Sequence, residues 1–265
     1  MTVPGGMPFN QGMRSTERND ATSVLGRALS VLRAFDEASP LLTLAEICRR
    51  SALPKSTVHR LLTEMTQERV LERDDDGRYR LGLRLFELGE LVPQHRSLSD
   101  AALPIMEDLW EATHQRIHLA VLDGVDVVYV EILGSAGKPI ASRTGGRLPA
   151  HATGVGKAIL AYSPTAVVKA RVDAGLPRLT PRTISTPGTL LRELQEVRTE
   201  GLAYDREESH LGISCVAAPV FGHDRRIRAG LSVTGPTGRI DPSRLGPAVR
   251  TAALSMSREL RESGL

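Results

Sequence analysis

The amino-acid sequence predicts an α+β protein of two domains, an N-terminal winged helix-turn-helix followed by a larger domain built on an antiparallel sheet. Two helical segments joined by a short turn occupy residues 43–70, and a strand-turn-strand pattern follows them. Beyond residue 113 the apolar period changes from that of helices to that of strands, with helices grouped between hairpins. A length of 265 residues and a hydrophobic content of 41% allow both domains to bury a core.

The composition argues against a membrane protein and against a disulfide-rich one. No apolar run approaches the ~20 residues of a membrane-spanning helix, and we expect no signal peptide at the N-terminus. The two cysteines, Cys48 and Cys215, predict no disulfide framework and fit a reducing cytoplasm. The net charge of +3 does not by itself indicate a nucleic-acid partner, since residues 23–95 carry equal numbers of basic and acidic side chains.

The chain begins with a segment, 1–20, that is rich in Gly, Pro, Asn and Gln, and we expect a disordered tail there. A first helix is predicted to begin at Ser23 and to end in the segment DEASP, where Pro40 stops it. Its apolar residues are predicted to share one face: Leu25, Ala28, Leu29, Leu32 and Phe35.

The helix-turn-helix prediction rests on a capping box and on one apolar stripe. Thr43 is a good N-cap and Glu46 follows three residues later, so a helix starts here with Leu44 and Ile47 facing inward. In the second helix Pro54 suits the first turn, where its missing N–H needs no partner. The core-facing stripe has helical spacing: Val58, Leu61, Leu62 and Met65.

The other faces of these helices carry short or basic hydrogen-bonding side chains, which suit phosphates and base edges in a major groove. Four bases between residues 47 and 63 occur without an acid among them: Arg49, Arg50, Lys55 and Arg60. His59 either contacts DNA, which we favour, or is merely solvated. The predicted DNA contacts of this segment are Arg49, Lys55, Ser56, Thr57, His59, Arg60 and Thr63.

A β-hairpin, the wing, is predicted around Asp76-Gly77, a dipeptide typical of turns whose two central residues both have positive φ. Arg78 and Arg80 on the return strand are further candidates for contact with DNA. They could instead solvate the hairpin and pair with Asp74 or Glu72, and the sequence leaves both interpretations open.

Two helices are predicted to follow the wing. The first carries Leu85, Leu88 and Val92 on one stripe and is ended by Pro93. The second runs from about Leu98 to Thr113, with its apolar face formed by Ala102, Ile105, Leu109 and Ala112.

The remaining segments alternate between strands and helices. A Gly-rich loop before residue 154 leads into a helix, and Ser163-Pro164 and Thr186-Pro187 each resemble an N-cap with Pro at the first helical position. The second of these helices is predicted to end at Gly201. The predicted strands are Arg116–Leu122 and Val125–Leu133, joined at Asp123-Gly124, then Lys138–Arg143, Ile213–Phe221 and Ile227–Thr234, and a final helix spans about Pro242–Leu260.

Three motifs that would suggest catalysis or metal binding fail on inspection. Cys215 has no histidine at a motif-like distance, so a buried cysteine is favoured over a nucleophile. Gly154–Lys157 is not a phosphate-binding loop, because His151 stands where the first Gly is required. His114 and His118 have zinc-helix spacing but lack the intervening Glu and fall at a predicted strand, so we expect no metal site.

Five segments together carry a resemblance to a known family. They are RALSVLRAF, LPKSTVHRLL, YRLGLRLFELG, LPAHATGVGKAIL and GLAYDREESHLGISCVAAPVF. In this order and spacing the chain, from about Ser23 to Leu260, resembles the IclR family of bacterial transcriptional regulators. The resemblance implies an operator-binding winged helix, a linker helix used in dimerisation, and a GAF-like domain that binds a small effector.

The expected division of the chain follows this resemblance. It comprises a tail at 1–20, a winged helix-turn-helix at 21–82, a linker helix at 83–97 and a GAF-like effector domain at 98–265. The implied effector contacts are Ala152, Thr153, Gly154, Asp205, Cys215, Ser232 and Thr234.

Physical chemistry is consistent with these effector positions. Backbone N–H groups at a Gly-rich helix start attract an anion, and alternate strand residues 232 and 234 point to one face. A small carboxylate or hydroxy-acid fits this set. Asp205 either binds ligand or neutralises Arg206 or Arg143, and Thr234 stands where the family also uses Ser.

We therefore expect a cytoplasmic regulator of a catabolic or metabolic operon, a repressor rather than an activator, without a cofactor or enzymatic activity. Its expected partners are double-stranded operator DNA, a small organic-acid-like effector and further copies of itself in a homodimer or homotetramer, with no membrane partner. Two other classes remain as alternatives. One is a hydrolase that uses Cys215, which turnover assays test. The other is a protein-binding module with a vestigial helix-turn-helix, which low-salt binding to random DNA tests.

Overall fold

The computed structural model describes residues 23–36, 38–134 and 142–265, without the side chains of residues 93–97. Backbone contacts divide the chain into two compact units, with the boundary between Pro93 and Gln94. The predicted tail lies outside the described residues, and so do residues 138–141 of the predicted strand Lys138–Arg143. Residues 142 and 143 are described and do not belong to a strand.

Unit 1 is a winged helix-turn-helix, as predicted. Its core consists of apolar residues from its first three helices, the segments beside them and the hairpin, and the predicted stripe of the second helix of the motif is buried in full. The elements are α1 (Val24–Leu32), α2 (Leu44–Ser51), α3 (Lys55–Gln67), β1 (Leu71–Arg73), β2 (Tyr79–Leu81) and α4 (Arg84–Gly89).

The capping box at the start of α2 is confirmed. The Thr43 backbone N–H donates to Glu46 Oε2 at 2.8 Å, and Thr43 Oγ1 accepts the Glu46 backbone N–H at 3.3 Å. Pro54 lies one position earlier than predicted, as the N-cap of α3 rather than within its first turn. Because Pro54 does not interrupt any helical hydrogen bond in either position, the sequence could not distinguish them.

The predicted end of α1 was wrong. The helix ends at Leu32, well before Pro40, and Val31 is fully buried. Leu25 and Leu29, predicted to lie on one apolar face, are 69% and 38% exposed. Helical spacing shows that apolar residues share a face, but only the packed neighbours decide whether that face meets the core.

The hairpin exists, but its turn differs from the predicted one. Gly77 has a φ of +78°, whereas Asp76 is not among the residues with positive φ. The Gly77 N–H donates to the Asp74 carbonyl at 3.0 Å, and the Asp74 N–H donates to the Arg78 carbonyl at 2.8 Å. The loop is therefore longer than two residues, and such loops need a positive φ only at the glycine.

Unit 2 is an antiparallel sheet of six strands covered by helices on both faces. Along the sheet the strands lie in the order β5-β4-β3-β8-β7-β6. The elements are α5 (Pro93–Thr113), β3 (Arg116–Asp123), β4 (Asp126–Leu133), β5 (Arg147–Pro149), α6 (Gly154–Tyr162), α7 (Thr165–Asp173), α8 (Pro187–Glu200), β6 (Ala203–Arg206), β7 (Ile213–Phe221), β8 (Ile227–Pro236) and α9 (Pro242–Glu262).

Strand alternation divides the side chains of unit 2 between two cores. On β8, Leu231 and Val233 join a cluster with apolar residues of α5 and α9. The intervening Ser232 faces the opposite side, where α6 and α8 form the second cluster. The side of the sheet that meets α6 therefore carries the polar strand residues.

Some boundaries in unit 2 differ from the prediction. Pro93 opens α5 rather than only closing the preceding helix, so α5 starts about five residues earlier than Leu98. Pro164 is the N-cap of α7, with Thr165 as its first residue, whereas Thr186 caps α8 as expected. Proline lacks only an N–H that the first turn leaves unused, so it fits either side of a helix start. Met106, not Ala112, completes the buried face of α5.

Candidate functional site

The outward face of α3 presents the predicted polar side chains to solvent. Lys55, the first residue of α3, is exposed, and no acid occupies the first turn of the helix. A cation is electrostatically unfavourable at a helix N-terminus, where the partial charge is positive, and an anion is favourable. An anionic partner that approaches this end would therefore be attracted by both the ammonium group and the helix dipole.

The other predicted DNA contacts on α2 and α3 are for the most part exposed as well. Arg60 pairs with Glu64 at 3.1 Å, and both side chains are more than half exposed, so little holds them together. The Thr63 hydroxyl donates to the His59 carbonyl at 3.0 Å. Arg49, Ser56, His59 and Thr63 are exposed and Thr57 is half-buried.

Arg50, one of the four bases between residues 47 and 63, has a structural role in unit 1. Its guanidinium donates to the Ala34 carbonyl at 2.9 Å, to Asp36 at 3.1 Å and to Ser39 Oγ at 2.8 Å. These bonds fasten α2 to the chain that follows α1. A guanidinium with three partners within unit 1 is not free to bind a phosphate.

The two wing arginines are both paired with carboxylates. Arg78 lies 3.2 Å from Asp74 and 3.0 Å from Asp76, and Arg80 lies 2.7 Å from Glu72. All these pairs are at least partly exposed, and such pairs contribute little to stability. In this structure Arg78 and Arg80 pair with carboxylates of the hairpin, which is the alternative to DNA contact that the sequence left open.

A small cavity in unit 2 brings together six of the seven predicted effector residues. Its volume is about 20 Å³, which is room for about one water molecule. The predicted residues that line it are Thr153, Gly154, Asp205, Cys215, Ser232 and Thr234. Ala152 is buried but does not line the cavity, and its effector contact stays a prediction. An organic ligand would have to displace lining atoms to enter.

The start of α6 forms one wall of the cavity and requires glycine. A Cβ at Gly154 would lie 2.5 Å from Cys215 Sγ, and one at Gly156 would lie 2.1 Å from the Ala150 carbonyl oxygen. Thr153 caps the helix, since its Oγ1 accepts the Gly156 N–H at 3.0 Å. The start of α6 thus lies directly against the strands, and an anion there would have to bind the N–H groups that precede the capped Gly156.

Cys215 is a buried thiol rather than a nucleophile. Burial raises the pKa of Cys215 to about 12, and the nearby Asp205 carboxylate adds to this effect. The reactive form of cysteine is the thiolate, which is scarce at neutral pH when the pKa is this high. The environment of Cys215 therefore opposes the hydrolase alternative.

Asp205 holds the turn that follows β6. Its Oδ1 accepts the Glu208 N–H at 2.7 Å and the Ser209 N–H at 3.3 Å, and its Oδ2 accepts the Ser209 hydroxyl. Burial raises the pKa of Asp205, and these hydrogen bonds oppose the rise. The Arg206 guanidinium instead lies over the Tyr204 ring, 4.6 Å from its centroid. Asp205 thus shapes the cavity wall as well as lining it.

Lys157 is a fully buried cation that sequence patterns did not indicate. Its Nζ lies 2.8 Å from Glu193 Oε1 and 2.6 Å from Glu208 Oε1. Burial lowers the pKa of Lys157, but Glu208 and Glu193 outweigh it and the net direction is upward. The ammonium group therefore ties α6 to α8 and to the turn that Asp205 caps.

His118 was considered only as a failed zinc ligand, yet it lines the cavity. Its Nδ1 lies 3.0 Å from Thr234 Oγ1 and its Nε2 lies 2.9 Å from Ser142 Oγ. Burial, with a smaller contribution from Arg116, lowers the pKa of His118 to about 3, so the ring is neutral. Tyr129, another cavity residue that was not predicted, meets the ring edge-on with centroids 5.1 Å apart. The alternation of polar and apolar residues on β3 is too short to predict that His118 lines a cavity.

The residues that the structure describes offer neither a membrane-spanning helix nor a cluster of metal ligands. None of their helices combines the length and apolar character needed to cross a membrane. No group of three or more His, Cys, Asp or Glu side chains in the described part of the chain is arranged to hold a metal ion.

Two family models match most of the chain. Residues 24–75 match the IclR helix-turn-helix domain, and residues 91–258 match the bacterial transcriptional regulator IclR C-terminal model. Among curated relatives, the HTH-type transcriptional regulator XynR of Escherichia coli is 35% identical over 88% of this chain and 95% of its own length. The transcriptional repressor IclR of the same organism is 33% identical over 83% of this chain and 82% of its own length.

Solved structures have the same architecture. An IclR homolog from Microbacterium hydrocarbonoxydans, crystallised in complex with 4-hydroxybenzoate, superposes with a TM-score of 0.83 at 32% identity and covers 91% of this chain and 100% of that one. Thermotoga maritima IclR superposes with a TM-score of 0.74 at 28% identity, covering 89% and 98%.

Proposed function

The chain belongs to the IclR family of bacterial transcriptional regulators, and we propose that it represses a catabolic or metabolic operon under the control of a small carboxylate. The observation that carries the proposal is the polar cavity in unit 2 of a chain whose unit 1 is a DNA-binding fold. Binding to DNA does not by itself require a second domain with a helix start and buried hydroxyls arranged around a cavity.

The chemistry of the cavity favours a carboxylate as the effector. The N-terminus of α6 offers backbone N–H groups, and Ser232 and Thr234 offer hydroxyls from the same side of β8. The relative from Microbacterium hydrocarbonoxydans binds a carboxylate, 4-hydroxybenzoate, which supports the same class of ligand here. The small volume of the cavity requires its walls to open when such a ligand binds.

On DNA, α3 would enter the major groove of each half-site of a pseudo-palindromic operator, and a homodimer or homotetramer would fix the half-site spacing. The effector would bind one arrangement of the assembly more tightly than another. The ratio of the effector affinities of the two arrangements would then set how far effector binding can change the operator affinity.

Replacing Lys55 or Arg60 with alanine is expected to weaken DNA binding without loss of folding. Each variant removes one cation from the exposed face of α3, so affinity should fall about tenfold and the salt dependence should become shallower. Lys55→Ala should melt at or slightly above the wild-type temperature, because it removes a cation from a helix N-terminus. Gel shifts with genomic fragments selected by the wild-type protein, at matched salt, measure the affinity.

The matched control is Lys169→Ala in unit 2, which removes an equally exposed cation with an i, i+4 carboxylate partner. It should bind DNA as the wild type does. If Lys55→Ala and Arg60→Ala bind as tightly as this control, α3 is not the element that contacts DNA.

Repression is tested by deleting the gene and measuring transcription of the operons whose promoter DNA the protein selects. Higher transcription in the deletion strain is expected, together with release of the wild-type protein from that DNA by a small carboxylate. Lower transcription in the deletion strain would identify an activator instead.

A further inference from the structure

His118 connects two hydroxyl groups across the cavity. It lies on β3, opposite Ser232 of β8 in the strand register, and its ring reaches diagonally to Thr234. On its other side the ring reaches Ser142. Sequence spacing brings none of these three side chains together, and the family resemblance implies an effector contact for Thr234 but not for His118 or Ser142.

A neutral imidazole donates from one nitrogen and accepts at the other, so two arrangements are possible. In the first, Nδ1–H donates to Thr234, Nε2 accepts the Ser142 hydroxyl, and the Thr234 proton is free to point elsewhere. In the second, the Thr234 proton is used on Nδ1 and Nε2–H donates to Ser142. The two arrangements give Thr234 opposite capacities towards a ligand.

The charges around the ring favour the first arrangement. At the Ser142 end, Arg116 Nη2 donates to the Ser142 carbonyl at 3.0 Å, so a positive charge faces the Nε2 side. A lone pair on Nε2 is favourable there, and an N–H is not. The same cation contributes to the low pKa of His118, which shows that its field reaches the ring.

The other end of the ring faces Thr234, which the strand register places beside Cys215. The Thr234 hydroxyl lies within hydrogen-bonding reach of the Cys215 sulfur. A hydroxyl that donates to the sulfur can still accept from the ring, so this neighbour also fits a protonated Nδ1.

We infer that His118 is a specificity-determining residue that, as the Nδ1–H tautomer, leaves the Thr234 hydroxyl as a donor towards the cavity and so selects acceptor-only ligand groups. The inference rests on the proposed effector function and deepens it. Thr234 and the backbone N–H groups of α6 that precede the capped Gly156 then present protons, and the Ser232 hydroxyl can turn to do the same. A carboxylate accepts from each of them, whereas the NH₂ of a primary amide of the same shape opposes at least one.

The tautomer can be measured without any ligand. Long-range proton–nitrogen correlation spectra of histidine-labelled protein distinguish a protonated nitrogen from one with a lone pair. We expect the His118 ring, identified by its absence in His118→Asn, to show a protonated Nδ1 and an unprotonated Nε2. The reverse pattern overturns the inference, whether or not a carboxylate proves to bind.

Ligand selectivity is measured by calorimetry with matched acid and amide probes, namely 4-hydroxybenzoate with 4-hydroxybenzamide, benzoate with benzamide, and pyruvate with pyruvamide. The wild type should prefer the acid by tenfold or more. His118→Leu should lose about tenfold in affinity for the acid and little for the amide, because Thr234 can then donate or accept freely. His118→Asn, whose amide N–H reaches the position of Nδ1, should retain more of the preference.

A double-mutant cycle tests whether His118 acts through Thr234. Thr234→Val alone, His118→Leu alone and the double variant should each weaken acid binding by a similar factor. Multiplicative losses would overturn the inference, as would an unchanged acid-to-amide ratio in His118→Leu. Binding of no acid to the wild type would refute the proposed effector class, and the tautomer spectrum would then decide the inference alone.

Discussion

Replacement of Lys157 with methionine is expected to lower the free energy of unfolding of unit 2 by about 3–5 kcal/mol. Methionine fills a similar volume, so the loss comes from charge rather than from a cavity. Glu193 and Glu208 would remain in the interior without the ammonium group that now lies within hydrogen-bonding distance of both. Chemical denaturation followed by circular dichroism measures the change.

The destabilisation should depend on pH with a definite sign. Burial raises the pKa of Glu208, and Lys157 opposes that rise. In Lys157→Met the opposition is lost, so the folded-state pKa rises further. A carboxyl whose pKa is higher in the folded state stabilises fully below its unfolded pKa and loses this contribution as the pH rises through the folded value. The variant should therefore recover stability as the pH falls from neutral towards 4.5, the usual pKa of glutamate.

Two controls isolate the buried charge. Lys169→Met removes an exposed lysine paired with Asp173 and should change stability by less than about 1 kcal/mol. Adding Glu193→Gln and Glu208→Gln to Lys157→Met should restore much of the loss, because no buried charge then lacks a partner. A Lys157→Met protein as stable as the Lys169→Met control, at neutral pH, would show that the buried pair contributes nothing.

Gly154→Ala is expected to weaken effector binding by about a hundredfold, equivalent to about 2.7 kcal/mol. The added Cβ would lie 2.5 Å from Cys215 Sγ, so either the thiol or the start of α6 must move into the cavity. Overpacking of this kind also costs about 1–3 kcal/mol of stability. Calorimetry with the acid probe that binds the wild type most tightly measures the first effect, and thermal melting measures the second.

The matched control for this variant is Gly188→Ala in α8, where an added Cβ meets nothing within 4 Å. It should bind the probe as the wild type does. Gly154→Ala combined with Cys215→Ala removes the sulfur that the new Cβ would meet and should recover stability, with partial recovery of binding. DNA binding in the absence of effector should persist in all these variants. Wild-type probe affinity in Gly154→Ala would mean that the effector binds elsewhere.

Much of the DNA-binding unit was predictable from local patterns. The stripe from Val58 to Met65 is buried as its spacing required, and the capping box at Thr43 and Glu46 forms the expected hydrogen bonds. Both features depend on residues within two helical turns of one another. For such features the interacting partners lie close together along the chain, so the sequence pattern shows them.

Other predictions failed because the deciding partner lies far away or outside the motif. Arg50 has the position of a DNA contact but is bound by Ala34, Asp36 and Ser39 across a loop. Leu25 and Leu29 share a helical face that the rest of unit 1 leaves exposed. In each case the spacing was correct and the surroundings decided the role.

The residues that line the cavity also divide into those that the sequence predicted and those that it did not. The resemblance placed Thr153, Gly154, Asp205, Cys215, Ser232 and Thr234 correctly at its wall, because each belongs to a segment with a recognisable pattern. His118 and Ser142 carry no such pattern. His118 reaches Thr234 because β3 lies next to β8 in the middle of the sheet, and Ser142 contacts the other nitrogen of the same ring.

The family, the two-unit organisation, the helix-turn-helix and most of the residues that line the cavity could be predicted from the sequence. Helix caps, apolar stripes and strand alternation involve residues a few positions apart, so their pattern is visible in the chain. The partners of Lys157, the neutral state of His118 and the hydrogen bonds of Arg50 appear only in the folded protein. Each depends on burial and on charges from distant segments, and the free energy of a buried charge or hydrogen bond is set by those surroundings rather than by the residue itself.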